Sequence, residues 1–213
     1  MSKSTSKGSS ARLSTLLEQL QKLCLAGSEA KYEQEKADVE QLRYVTNKIQ
    51  QLLSSQEKCR KDLTTKFTDG LSTLLVVLEM SADTQLTLNI LGCLCELLST
   101  GKRAAVLVAK GAVDIILRVI VNTSKEASVC EEILLLSHVI LTKVGPKAIN
   151  CNALAKLGAV NVLFRVVNSC GHRRRVVLRR LLALGLFQCC YRCFVTGREL
   201  IIITDKPAYE KPS

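Results

Sequence analysis

Three stretches of similar sequence decide the fold of this chain, and the first is Gly70-Leu-Ser-Thr-Leu-Leu-Val-Val-Leu78. The other two are Gly111-Ala-Val-Asp-Ile-Ile-Leu-Arg-Val119 and Gly158-Ala-Val-Asn-Val-Leu-Phe-Arg-Val166. In each stretch an apolar pair follows the glycine by four and five residues, and another apolar residue follows it by eight. The glycines are 41 and 47 residues apart, which indicates a repeat protein.

Each of these stretches begins a unit of two or three predicted helices. A polar break follows it, at residues 81–84, 122–128 and 168–172, and then a longer apolar helix centred on residues 88–98, 133–141 and 176–187. Short helices at residues 103–110 and 151–157 lead to the next glycine, which is expected to allow a sharp turn. A period of this length with two or three helices is typical of armadillo and HEAT repeats.

Two further helices are predicted upstream of the repeats, over residues 11–66. Leucines recur at three- and four-residue steps in the first one: Leu13, Leu16, Leu17, Leu20 and Leu23. We expect Ser9 or Ser10 to cap this helix and residues 26–28 to end it. The second begins near Glu29 and pairs one apolar face with a polar one, which is typical of a helix on the surface of a domain.

The predicted fold class is therefore all-α, an armadillo- or HEAT-like solenoid of about three repeats with two N-terminal helices. The repeats are predicted over residues 67–187. A single unit cannot cover its own apolar helix, so the units are expected to stack on one another. Residues 1–10, rich in Ser and Lys, are expected to form a disordered leader. Residues 188–213 abandon the pattern and are expected to form a divergent, disordered tail.

The composition excludes several classes of protein. Hydrophobic residues make up 47% of the chain, too many for general disorder. Charged residues interrupt every apolar run before the ~20 residues that a membrane span needs, so no membrane is expected. The N-terminus lacks the apolar core of a signal peptide, and the ten cysteines are mostly scattered in leucine-rich stretches, so reduced thiols in the cytosol are predicted.

The net charge of +11 is concentrated in the C-terminal third, where residues 143–213 carry 13 Lys or Arg and 3 Asp or Glu. Five arginines within it form the candidate site for an acidic partner: Arg173, Arg174, Arg175, Arg179 and Arg180. The forked guanidinium group suits carboxylates. The alternative is a diffuse solvated surface, and nucleic acid is disfavoured because the cluster lacks interleaved aromatic residues.

No catalytic, cofactor or metal site is predicted in this chain. Cys190 and Cys193 form a Cys-x-x-Cys pair, but a structural zinc ion needs four ligands and the neighbouring Cys170 and His172 have an unusual spacing. His138 lies in an apolar helix and is expected to be a buried structural residue. No P-loop and no Cys–His nucleophile pair is apparent.

An ordered series of phrases resembles the N-terminal region of the cytosolic carboxypeptidases, which trim glutamates from tubulin tails. The matching phrases are Arg43-Tyr-Val-Thr-Asn-Lys-Ile49, Ser55-Gln-Glu-Lys58, Gln85-Leu-Thr-Leu-Asn-Ile-Leu91, Glu96-Leu-Leu-Ser99, Leu107-Val-Ala-Lys-Gly111, Asn122-Thr-Ser-Lys-Glu126 and Val144-Gly-Pro-Lys147. Their order is kept between residues 43 and 147, with looser similarity to residue 167. The tail after residue 187 resembles nothing in that family.

The resemblance implies an armadillo-like interaction module that precedes a zinc carboxypeptidase domain. Such a domain needs His-x-x-Glu and a later His, whereas neither of the two histidines here has Glu three residues on. The first hypothesis is a non-catalytic cytosolic module that binds a protein partner, with tubulin or microtubules expected. The alternatives are a fragment of an active zinc metallocarboxypeptidase with its catalytic domain downstream, and a nucleic-acid-binding helical repeat protein.

Overall fold

A computed structural model describes residues 3–26, 32–125 and 131–144, and these residues form helices and short connections without a strand. Eight helices are described, in the order α1 Lys3–Ala26, α2 Tyr32–Ser55, α3 Glu57–Thr65, α4 Thr68–Met80, α5 Thr84–Leu97, α6 Gly101–Ala109, α7 Ala112–Lys125 and α8 Glu131–Val144. Two units of a short helix and two longer ones, α3–α5 and α6–α8, follow the pair α1 and α2. The all-α armadillo-like prediction is confirmed over this part of the chain.

Helices three places apart in the chain pack beside each other, which builds three layers. One layer contains α1, α4 and α7, a second contains α2, α5 and α8, and the short helices α3 and α6 form the third. Every unit therefore rests on the preceding one through all of its helices, which is how a solenoid covers its apolar surface. We call the second layer, α2, α5 and α8, the ladder.

Leucine and isoleucine supply most of the core between the layers. Leu20, Ile49, Leu74 and Leu94 are each 0% exposed, and they come from four different helices. Branched aliphatic side chains interlock as ridges into grooves, and each fully buried one stabilises the fold by about 1.5–3 kcal/mol. The scarcity of aromatic residues in the sequence is thus explained by close packing of helix on helix.

The helix-to-helix turn expected at glycine occurs at Gly111 and not at Gly70. Gly111 has a φ of 79°, a left-handed conformation that glycine adopts without strain, and it separates α6 from α7. Gly70 instead lies within α4, where a Cβ atom would stand 2.7 Å from Leu17 Cδ1. The prediction of a turn is therefore wrong for Gly70, whose small size admits the neighbouring helix.

The N-terminal part differs from the prediction in three respects. Helix α1 begins at Lys3, so residues 3–10 belong to it and do not form a disordered leader. Ser10 is not its cap, because the Ser10 hydroxyl donates to Asp62 Oδ2 at 2.6 Å and holds this end of α1 against α3. A third helix, α3, follows a break at Gln56 within the region where two helices were predicted.

No helix in the described part of the chain is long and apolar enough to cross a membrane. The predicted third repeat, with its glycine at Gly158, and the predicted tail over residues 188–213 lie outside the described residues.

Candidate partner-binding surfaces

The five arginines predicted to face an acidic partner lie outside the described residues: Arg173, Arg174, Arg175, Arg179 and Arg180. The pair Cys190 and Cys193 and the neighbouring His172 lie outside them as well. His138 belongs to α8, but its side chain is outside the described part. The candidate surfaces that follow are those of the ladder and of the short helices.

A buried polar joint connects α2 to α5 in the ladder. The Asn89 amide donates from Nδ2 to the Arg43 carbonyl at 3.0 Å and to Thr46 Oγ1 at 3.2 Å. Asn89 is 3% exposed and Thr46 0% exposed, while Gln85 closes the joint by donating to Asn89 Oδ1 at 3.0 Å. Because buried polar groups must be paired, this joint fixes the register of α2 on α5.

Glycine allows the same two helices to come close one turn further along. A Cβ atom on Gly92 would stand 2.1 Å from Gln50 Nε2, so the Gln50 side chain lies directly over the bare backbone of α5. The absence of a side chain at this position therefore leaves room for the Gln50 amide against α5.

An ion pair fixes the beginning of α5 to α2. Arg43 donates to both carboxylate oxygens of Asp83, from Nε at 2.8 Å and from Nη2. Asp83 also caps α5, since its Oδ1 accepts from the Leu86 backbone N–H at 2.8 Å. The Arg43 guanidinium, followed by the cap hydrogen bond, holds the pKa of the Asp83 carboxyl below its ordinary value.

A second network joins the layer of short helices to the ladder. Arg60 of α3 pairs with Glu57 at 2.9 Å and Glu96 at 3.6 Å, and it also donates to carbonyls at the end of α2. Arg103 of α6 binds Glu57 and donates to Ser99 Oγ at 2.7 Å. The hydrogen bonds from Arg103 and Arg60 lower the pKa of Glu57. Two arginines are thereby committed to internal contacts.

The ladder presents a surface of mixed chemistry. Tyr44 is 64% exposed and Leu135 43% exposed, and Lys48 Nζ lies 5.5 Å from the centre of the Tyr44 ring. The described side chains of the three helices include three Lys or Arg and four Asp or Glu, so their charge is nearly balanced.

A cleft of about 290 Å³ opens where the α4–α5 corner meets α7 and α8. Its apolar lining comes from Leu78, Ile115, Val119 and Ile133, and the exposed ion pair of Arg118 and Glu79 stands at its rim. This volume is at the lower end of the ~300–1,000 Å³ of small-molecule sites.

The cysteines of α5 have no reactive setting. Burial raises the pKa of the Cys93 thiol far above its ordinary value and that of Cys95 to about 11. Their Sγ atoms donate to the carbonyls of Thr46 at 3.8 Å and Leu136 at 4.0 Å. Within residues 3–26, 32–125 and 131–144 no group of three His, Cys, Asp or Glu could hold a metal ion.

Sequence reasoning missed the polar joints, and one signal for them was present. The partners of the joints are separated by 40 residues for Arg43 and Asp83 and by 46 for Arg43 and Asn89, which is close to the repeat length. Hydrogen-bonding residues that recur one repeat apart are candidates for contacts between neighbouring units. The sequence alone does not say which of several such pairs meet.

Comparisons with known proteins agree with this architecture. A family described as "CCP1-like, N-terminal TPR repeats" matches residues 11–148. Cytosolic carboxypeptidase 1 is 37% identical over 185 residues in Gallus gallus, 39% over 181 in Mus musculus and 38% over 180 in Homo sapiens. The alignments cover 83–85% of this chain but only 14% of each relative.

A solved structure supports the fold independently. A designed armadillo repeat protein in complex with the peptide (KR)4 superimposes with a TM-score of 0.58 at 15% identity, over 85% of this chain and 70% of that one. The family description names TPR repeats, whereas the grouping of one short and two longer helices seen here is that of armadillo repeats. On the match to residues 11–148, the chain belongs to the family of CCP1-like N-terminal TPR repeats.

Proposed function

We propose that the chain is a non-catalytic, protein-binding module of a cytosolic carboxypeptidase. The observation that carries the proposal is the ladder, in which three helices pack side by side and a buried polar joint fixes α2 to α5. A designed protein of the same fold holds a peptide. A rigid helical surface of this kind loses little conformational entropy when it binds a partner.

The partner in this proposal is an acidic polypeptide such as the tail of tubulin, in solution or on microtubules. Support comes from the basic balance of residues 143–213 and from the arginines at 173–175, 179 and 180. Arginine binds carboxylates through two parallel hydrogen bonds, so a glutamate-rich tail is a suitable ligand.

The cytosol is the proposed location, because the relatives are named cytosolic carboxypeptidases. Catalysis and its zinc ion are assigned to the part of those relatives that this chain does not span. We accordingly propose no cofactor for the chain itself.

A second candidate function follows from the length of the relatives. The chain spans 14% of proteins that are named carboxypeptidases, so it is also consistent with a piece of an active zinc metallocarboxypeptidase. A transcript that joins these residues to a downstream His-x-x-Glu sequence would support that candidate.

The proposal is tested by fluorescence anisotropy of a labelled, polyglutamate-branched tubulin-tail peptide, at low and near-physiological salt. A labelled DNA oligonucleotide is the matched polyanion, and a variant with glutamine at the five arginines is the matched protein. Saturable peptide binding that survives physiological salt, exceeds DNA binding and weakens in the variant is the expected result. Equal, salt-erased binding of both ligands contradicts a specific acidic partner, and tighter DNA binding favours the nucleic-acid alternative.

A further inference from the structure

Positive charge in the N-terminal two-thirds of the chain is concentrated on the layer of short helices. Residues 57–66 and 101–110, which contain α3 and α6, carry seven Lys or Arg and two Asp or Glu. The other residues up to 142 carry ten Lys or Arg and fourteen Asp or Glu. The near-neutral balance of this region is therefore the sum of a basic layer and an acidic remainder.

The lysines of this layer recur at equivalent positions of consecutive units. Lys58 is the second residue of α3 and Lys102 the second of α6, while Lys66 and Lys110 are the C-cap residues of the same two helices. Each pair is 44 residues apart, and α3 packs beside α6. In a solenoid, equivalent positions of stacked units form a row along the molecule.

We call the set Lys58, Lys61, Lys66, Lys102 and Lys110 the lysine edge. All are exposed except Lys58, which is half-buried. Lys66 Nζ lies 3.4 Å from Asp62 Oδ1, and Lys110 Nζ lies 3.0 Å from Ser72 Oγ. The contact of Lys110 is exposed and weak enough to be exchanged for a ligand, whereas Lys66 pairs with a buried carboxylate.

The surface between these lysines is made of small residues. Thr65, Ala105 and Ala109 are exposed on the outer sides of α3 and α6. Arg60 and Arg103, the other cations of these helices, are bound internally by Glu57 and Glu96 and are largely buried. The lysine edge is thus a strip of mostly exposed lysines with only small side chains between them.

We propose that the lysine edge binds an extended, glutamate-rich polypeptide, an inference that rests on the proposed function. Stacked helices are separated by about 8–10 Å, so equivalent lysines of neighbouring units are spaced by roughly three residues of an extended peptide. No aromatic residue is exposed in α3 or α6 to stack on bases, which favours a peptide over a nucleic acid.

The test compares two variants with the same change in net charge. The lysine-edge variant is Lys61→Gln, Lys66→Gln, Lys102→Gln and Lys110→Gln; the control is Arg12→Gln, Lys22→Gln, Lys48→Gln and Lys143→Gln, on α1, α2 and α8. The probe is a labelled peptide of ten glutamates, titrated into the full chain by anisotropy. Since each exposed ion pair contributes modestly, we expect about fivefold or more weaker binding for the lysine-edge variant and less than about twofold for the control.

A half variant, Lys102→Gln with Lys110→Gln, is expected to lose an intermediate part of the affinity, and unchanged thermal melts show that all variants are folded. Equal losses in the two fourfold variants overturn the inference, because the charge then acts as an unspecific field. Binding that depends on the arginines at 173–180 but not on the lysine edge overturns it too, and leaves the proposed function intact. Failure of the unchanged chain to bind the peptide overturns both.

Discussion

The joint at Asn89 offers a sharp test of how consecutive units are held in register. The change is Asn89→Ala, which removes the amide that donates to the Arg43 carbonyl and to Thr46 Oγ1. Asn89 is 3% exposed, so water does not replace the lost partner. The substitution leaves the apolar packing of α5 in place.

The expected cost follows from the hydrogen bonds that are lost. Each net hydrogen bond contributes about 0.5–1.5 kcal/mol, and the two buried ones that are removed predict a loss of about 2 kcal/mol. The third bond, which Asn89 Oδ1 accepts from Gln85, comes from an exposed side chain, so water replaces Asn89 there. Thr46 Oγ1 retains a bond to the Leu42 carbonyl at 2.7 Å, so no buried donor is left unpaired and the cost should not rise above that range. For a chain of this size, about 2 kcal/mol lowers the melting temperature by about 4–8 °C.

Urea and thermal unfolding followed by circular dichroism provide the measurement. Asn47→Ala is the matched control, because Asn47 lies on α2 and its side chain accepts only the exposed Gln51 amide at 2.7 Å. We expect this control to change stability by less than about 0.5 kcal/mol. Equal effects of the two substitutions would refute the idea that the buried joint, rather than asparagine in a helix, stabilises the ladder.

Three further predictions concern the same region. Gly92→Ala should leave the stability of the chain almost unchanged, because Gln50 already occupies the space beside Gly92. In a Gln50→Ala background the same substitution should stabilise the chain by up to about 1 kcal/mol. A double-mutant cycle in urea measures both effects, and additive effects would contradict the contact between Gln50 and Gly92. The pKa of Asp83 is lowered in the folded chain, so the ionised carboxylate stabilises the fold above its unfolded pKa, and this stabilisation is lost as the pH falls through the folded pKa. Arg43→Ala should therefore make the loss of stability in acid less steep. Parallel pH profiles of the two proteins would argue against the ion pair of Arg43 and Asp83. Burial raises the pKa of Cys93, so it should resist alkylation in the native chain at pH 7 and react in urea, as mass spectrometry can measure; rapid native labelling would contradict its burial.

The helical solenoid was predictable because its signals are local and repeated. Leu74 and Leu75 after Gly70, and Ile115 and Ile116 after Gly111, are all buried as the pattern required. The break predicted at residues 81–84 matches the connection between α4 and α5. Apolar periodicity indicates which face of a helix is buried whatever lies against it.

The features that escaped prediction depend on contacts between distant residues. Gly70 and Gly111 occupy the same place in the sequence pattern, yet only Gly111 adopts a positive φ, because Gly70 accommodates Leu17 from α1. Ser10 was expected to cap a helix but donates to Asp62, 52 residues away. Local sequence does not reveal such partners, and the proposed arginine site lies outside the described residues, so it stays a prediction.

The spacing of the joints has a consequence for the order in which the chain assembles during synthesis. Arg43 and Asp83, Thr46 and Cys93, and Cys95 and Leu136 are each separated by 40–47 residues, so the joints between ladder helices close over roughly one repeat. Once α5 has emerged from the ribosome, α2 and α5 are both available to pack against each other. Folding can therefore advance from the N-terminal end at the pace of translation, with each newly made unit packing on the unit before it.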